Sequence, residues 1–174
     1  PIKHDDVVLI SQNVYALRFK IEEVPVVGAK AAGVKAMNLK ADDALQAAFI
    51  CNTSSFYLLT QRGSLKRVSI EEIPATSRAK RGLQVLRELK NKPHRVFLAG
   101  AVVEQGFIGD LFSTEVEEND QTLLIQSNKG TTYESRLQDL KLSERTSNGS
   151  FISDTISDEE VFDAYLKEIF KEDK

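Results

Sequence analysis

The stretch QRGSLKRVSIEEIP, residues 61–74, decides the fold, because the chain has already written nearly the same phrase as QNVYALRFKIEEVP, residues 12–25. Sliding residues 7–40 by 49 positions onto 56–89 requires no gap. Leu9, Gln12, Arg18, Ile21, Glu22, Glu23, Pro25 and Gly33 then fall on Leu58, Gln61, Arg67, Ile70, Glu71, Glu72, Pro74 and Gly82. A third, more worn copy lies 67 residues further on, where TLLIQSNKGTTY (122–133) covers SFYLLTQRGSLK (55–66). That register brings Gly130 onto Gly63, Arg145 onto Arg78 and Gly149 onto Gly82. A period near fifty belongs to propeller-like arrays in which each unit is one small sheet.

Each unit reads as short strands. VVLIS, FYLLT and TLLIQ are β-branched or aromatic runs that stop at polar residues, and QRG and NKG are tight turns in which Gly supplies positive φ. Val14 holds that turn position in the first unit, so the turn there is expected to be made differently, with Asn13 at positive φ. SLKRVSI alternates, placing Leu65, Arg67 and Ser69 on one face and Lys66, Val68 and Ile70 on the other. A proline after IEEV or IEEI ends the strand. ALQAAFIC and HRVFLAGAVV read as buried strands, and FIGDLFSTEVEEND (107–120) as a strand with an acidic loop. GLQVLRELKNKP could suit an amphipathic helix but is read as strand, because its partner GVKAMNLK is too short for a helix. One helix is expected, at the end. Ser157 with Glu160 forms a capping box, and Phe162, Leu166, Ile169 and Phe170 make an apolar stripe.

Composition bounds the rest. With 41% apolar and 28% charged residues over 174 positions, the chain reads as one globular unit. Its longest clean apolar run, VFLAGAVV (96–103), is too short to span a bilayer, and no signal peptide is visible. Cys51 is the single cysteine, which excludes an internal disulfide and suits a reducing compartment. The chain opens on Pro1, as expected of a piece cut from a longer protein. The net charge of −3 conceals a division: residues 1–110 carry 16 Lys/Arg against 11 Asp/Glu, and residues 111–174 carry 7 against 15. Such asymmetry points to a polyanionic partner for one part and an acidic appendage on the other, although a solvated basic face explains the charge equally well. His4 and His94 lie near no metal-ligating pattern, and His94 reads as a surface residue at a strand end. Cys51 reads as a packing residue, and no phosphate-cradling GxxxxGK[ST] loop occurs. The piece is expected to be non-catalytic.

VVLISQNVYALRFKIEEVPVVGAKAAGVKAMNL, SFYLLTQRGSLKRVSIEEIPATSRAKRGLQVL and TLLIQSNKGTTYESRLQDLKLSERTSNGSFIS together resemble the C-terminal domain of the A subunit of bacterial type IIA topoisomerases. Within that family the likeness is to the topoisomerase IV of streptococcus-like Gram-positive bacteria. The resemblance covers nearly the whole chain. It implies an all-β fold of β-pinwheel blades that exchange strands, here about three blades in an open arc. The repeats fall near 7–51, 56–103 and 107–153, with residues 154–174 as an acidic C-terminal helix or tail. It also implies non-sequence-specific binding and bending of double-stranded DNA, which is presented to the full enzyme for ATP-dependent decatenation and supercoil relaxation. The implied partners are the ATPase B subunit, together with the rest of the A subunit; no membrane is implied. The implied location is the bacterial cytoplasm, at the nucleoid. Cofactors are expected only in the full enzyme, as ATP and Mg. The glycine-rich basic box of gyrase has its nearest counterparts in GAKAAG (28–33) and SRAKRG (77–82), and the third copy, ERTSNG (144–149), is almost uncharged. None has the doubled glycine, which favours topoisomerase IV over the gyrase alternative.

Arg62, Lys66, Arg78, Lys80 and Arg81 are the leading candidates for phosphate contact, joined by Lys30 and Lys35 from the first unit and Lys129 and Arg145 from the third. In SRAKRG no acidic residue lies between Glu72 and Glu88 to pair locally, so its three cations are expected to face solvent. Arg18 and Arg67 sit mid-strand and are read as members of intra-blade ion pairs. The acidic end either restrains DNA binding or caps an open edge. A protein-interaction scaffold remains the alternative from a different class, to be told apart by whether binding responds to salt.

Overall fold

The computed structural model describes residues 5–103 and 120–169. The repeated phrase folds as a hairpin three times: β1 (Asp6–Ser11) with β2 (Tyr15–Lys20), β4 (Ser55–Thr60) with β5 (Ser64–Ser69), and β8 (Asp120–Ser127) with β9 (Thr132–Arg136). One turn closes all three. The third loop residue is left-handed in each, at φ 72° for Val14, 74° for Gly63 and 84° for Gly130. Its amide donates to the carbonyl three residues back, on Ser11, Thr60 and Ser127 respectively. The first turn is therefore not rebuilt around Asn13. Val14 itself takes the strained conformation, and its side chain is 1% exposed, so burial in the core offsets the steric cost of a β-branched residue there. In the second blade the corresponding space is taken by Ile156, which lies where a Cβ on Gly63 would be.

A third strand joins the first strand of each hairpin: β3 (Leu45–Cys51) on β1, β7 (Val96–Ala101) on β4 and β11 (Val161–Ile169) on β8, all antiparallel. The fourth strand comes from the next repeat. β6 (Leu83–Gln84) crosses back to pair with β2, and β10 (Ser150–Phe151) crosses back to pair with β5. The sheet orders are β3-β1-β2-β6, β10-β5-β4-β7 and β11-β8-β9. Strand exchange thus ties each blade to its neighbour.

Three expectations change. The C-terminal helix does not form: residues 154–158 make a 3-10 turn, and β11 pairs along the whole of β8. Its residues fit either period, since Val161, Ala164 and Leu166 also alternate inward past a bulge, and a full ladder of partners decides for the strand. β3 and β7 are strands but are only half-buried, because they form the sheet edges that lie against each other between neighbouring blades. GLQVLRELKNKP is strand only at Leu83–Gln84, after which Val85 and Leu86 are fully buried between the first two blades. The acidic insertion expected at 107–120 lies outside the described residues except for Asp120.

Alternation divides the core into layers. Val8, Ile10, Phe56, Leu58 and Val68 pack between the first and second blades, while Tyr57, Leu59, Leu123, Ile125 and Ile156 pack between the second and third. Leu9, Leu17, Phe19 and Met37 cover the far side of the first blade. The first two hairpins therefore contribute apolar residues from both faces and the third from one, and removing one such Leu to Ala would cost about 2–5 kcal/mol.

Candidate nucleic-acid interface

The segment that follows each hairpin is an arm, residues 21–44, 70–82 and 137–149 in turn, and the arms carry most of the candidate cations. They lie at the β6 and β10 edges, opposite the β3 and β7 edges where the blades converge. The second and third arms are fixed by the same set of contacts, one repeat apart. The Thr76 amide donates to Arg18 O and the Ser143 amide to Arg67 O. The amide of Arg78 donates to Glu23 Oε2, and that of Arg145 to Glu72 Oε2. Both guanidiniums donate from Nη1 to a carbonyl of the preceding arm, Arg78 to Lys35 O and Arg145 to Gln84 O. Gly82 and Gly149 then lie flat on the neighbouring strand, where a Cβ would sit 2.2 Å from Ala16 O and 2.6 Å from Leu65 O respectively. The amides of Val85 and Ile152 close the arms on the carbonyls of Val14 and Gly63.

SRAKRG is therefore not a loop of three free cations. Arg78 is half-buried and its partner carboxylate comes from the previous repeat, out of reach of a search for local acids. Arg81 stacks its guanidinium over the Tyr15 ring at 3.8 Å, a cation–π contact with the first blade. Lys80 alone of the three has an exposed side chain. Lys30 and Lys35 are exposed on the first arm, and Lys35 Nζ donates to Asn38 Oδ1 at 2.8 Å. The two arms run side by side, with the Asn38 amide donating to Lys80 O and the Ala79 amide to Ala36 O. Lys30, Lys35, Lys80 and Arg81 take part in no ion pair among the described residues.

Lys66 overturns an expectation. It lies on the buried face of β5, 2% exposed. Its ammonium donates to Arg145 O at 2.7 Å, Ser147 O at 2.8 Å and also to Val85 O, with Glu144 O at 3.4 Å. Burial is the main force pushing its pKa down to about 8; Arg145 adds to that push and Glu72 opposes it. Lys66 thus pins the third arm rather than offering charge to phosphate. The equivalent positions, Leu17 and Tyr133, cannot do this.

The turn of the second blade is also packed. Arg62 Nη1 donates to Lys92 O at 2.8 Å and lies 3.3 Å from His94 Nε2, with its guanidinium 5.6 Å over Phe151. His94 is buried, not a surface residue, and its Nδ1 is 3.1 Å from Thr60 Oγ1. Burial, then the Arg62 charge, pushes its pKa down to about 4, so the ring is neutral at physiological pH. Arg18 pairs with Asp6 and also donates to Ile70 O and Ile73 O of the next blade; Arg67 donates to Ser55 Oγ at 2.7 Å and pairs with no carboxylate among the described residues. Burial raises the Asp6 carboxyl, but Lys20 and Arg18 outweigh it and hold the pKa below its ordinary value. Lys129 is exposed at the third turn, outside the arms. Sequence reasoning passes over Lys20 and Lys92, both exposed. Lys92 is brought beside Arg62 by the bond from the Gln61 amide to Arg95 O, a pairing with no local signal. No group of three His, Cys, Asp or Glu among the described residues could hold a metal ion.

Strand exchange between repeated sheets with basic arms at one edge defines a class, and comparison with known proteins agrees. A family model described as the DNA gyrase C-terminal domain, a beta-propeller, matches residues 5–52 and 55–102, and the chain belongs to this family. It is 88% identical over 174 residues to the A subunit of DNA topoisomerase 4 from Streptococcus pneumoniae and 45% identical over 141 residues to that from Bacillus subtilis. These matches span 100% of this chain but 21% of the former protein, and 80% of this chain but 16% of the latter. A crystal structure of the C-terminal domain of DNA topoisomerase IV superposes with a TM-score of 0.74 at 34% identity, over 94% of this chain and 47% of that one. A gyrase A C-terminal domain shares the fold, with a TM-score of 0.70 at 17% identity over 94% and 51%.

Proposed function

We propose that the blades bind double-stranded DNA along the edge formed by the arms, without reading its sequence, and curve it. The observation that carries this reading is the pairing of successive arms, which gathers Lys30, Lys35, Lys80 and Arg81 from two repeats at one edge, in no ion pair with a carboxylate among the described residues. The exposed ammonium groups of Lys30, Lys35 and Lys80 suit phosphate oxygens, Arg81 adds its charge from its stack on Tyr15, and such contacts position a duplex without specifying bases. Bending a duplex of 20–30 base pairs by 40–90° costs of order 1–6 kcal/mol, so several blades must share the contacts. In a full-length A subunit of topoisomerase IV, working with its ATPase partner, this surface would present the DNA segment to be transported during decatenation and relaxation.

Band-shift titrations with two unrelated duplexes at two salt concentrations test the reading. Equal affinity for both, falling steeply with salt, is expected. Salt-independent binding, or none at low salt, would overturn it.

A further inference from the structure

The two junctions between successive arms share their arginine clamps but not the seam between them. At the first junction the arms pair backbone to backbone: the Asn38 amide donates to Lys80 O and the Ala79 amide to Ala36 O, each at 2.8 Å. One repeat on, the equivalent acceptors are Ser147 O and Val85 O. Both receive Lys66 Nζ. The Arg87 amide, which stands where Asn38 stands, donates at 2.8 Å to the side-chain Oδ1 of Asn148. The backbone of the arm follows this change. Ala79 is left-handed at φ 63°, whereas its counterpart Thr146 has no positive φ. An ammonium with three N–H donors thus occupies the seam that two backbone bonds close at the first junction. It also donates to Arg145 O at 2.7 Å, and at 2% exposed it cannot trade these carbonyls for solvent. Leu17, at the equivalent place in the first blade, offers no donor, and there the arms close directly on each other. The third arm carries one exposed cation of its own, Lys141, which takes part in no ion pair among the described residues.

We propose that Lys66 is a positioning residue for DNA: by seating the third arm on an ammonium, it fixes where Lys141 meets the duplex and so how far bound DNA curves. The inference rests on the DNA-binding reading above and adds what sets the curvature. A stiff duplex bends only where contacts on successive arms hold it off its straight path. Displacing the third contact therefore relaxes the bend, while Lys30, Lys35 and Lys80 of the first two arms keep the DNA bound.

The test measures energy transfer between dyes at the two ends of a duplex of about 30 base pairs, at saturating protein. The proteins compared are the unaltered chain, Lys66→Met, Lys141→Met and the double variant. The unaltered chain should bring the ends closer together than they are in free DNA. Each single variant should give back part of that approach. The double variant should give back no more than the larger single effect, because the two residues act through one contact. Lys141→Met should lower the log–log salt slope of binding by about 1, and Lys66→Met by no more than that. An unchanged bend in folded Lys66→Met overturns the proposal, and so does an additive loss in the double variant. Lys141→Met, a surface change, keeps the proposal falsifiable even if Lys66→Met does not fold: an unchanged bend in it overturns the proposal as well. A chain that binds no DNA at all would instead remove the reading on which the proposal rests.

Discussion

Replacing Lys66 with methionine, which keeps the length of the stem and removes the charge, separates two large opposing effects. A lysine held near pKa 8 rather than 10.5 reports that burial disfavours its charged form by about 3 kcal/mol. Against this, Lys66→Met leaves Val85 O, Arg145 O and Ser147 O without their donor, and each unsatisfied buried carbonyl costs about 1–3 kcal/mol. At pH 7 the two nearly cancel or leave the variant somewhat less stable, so stability at one pH decides nothing. The pH dependence does. Because the folded pKa lies below the unfolded one, the unfolded state binds more protons between pH 8 and 10.5, and the folded state gains stability as pH rises through that window. Below pH 8 the penalty is fully present; near pH 10 most of it is gone. Urea unfolding at pH 7 and pH 9.5 should show the unaltered chain gaining about 2 kcal/mol relative to Lys66→Met. Identical pH dependence in the two proteins would mean that Lys66 is solvated and the third arm is held by something else.

The arm clamps separate structural from binding cations. Arg78→Ala and Arg145→Ala should each lower stability by about 1–3 kcal/mol in denaturant unfolding, whereas Lys80→Ala should stay within about 0.5 kcal/mol. Gly82→Ala, whose Cβ would meet Ala16 O, should undock β6 and destabilise by more than the roughly 1–2 kcal/mol of left-handed strain alone, read as faster hydrogen exchange at the Val85 amide. Ending the chain after Ser153 should not simply tighten DNA binding. It removes β11 and Ile156 and uncovers Leu123 and Ile125, so a large fall in melting temperature is expected.

How much of this is legible in the sequence follows from how local each signal is. The repeat, the hairpins and the turn glycines are short-range patterns, and they read correctly from Gly63 and Gly130. Alternation in SLKRVSI even places Lys66 on the same face as Val68 and Ile70, but its charge points to DNA, and only the carbonyls of the third arm show why an ammonium is buried there. Strand exchange is invisible locally: Leu83 and Gln84 look like the start of an amphipathic segment, and only the neighbouring β2 makes them a strand. The same holds for 161–169, where helical and alternating periods coexist and β8 decides. Arg78 and Arg145 escape a local reading because their carboxylate partners, Glu23 and Glu72, lie one repeat away.

The most direct test of the central claim neutralises the exposed cations of the paired arms, Lys30→Met, Lys35→Met and Lys80→Met, and measures duplex affinity as a function of salt. If each contacts one phosphate, the log–log salt slope should fall by roughly 2 to 3, equally for unrelated duplexes, with melting temperature unchanged. A folded triple variant that keeps the original affinity and slope would contradict the assignment of the arm edge as the DNA-binding surface.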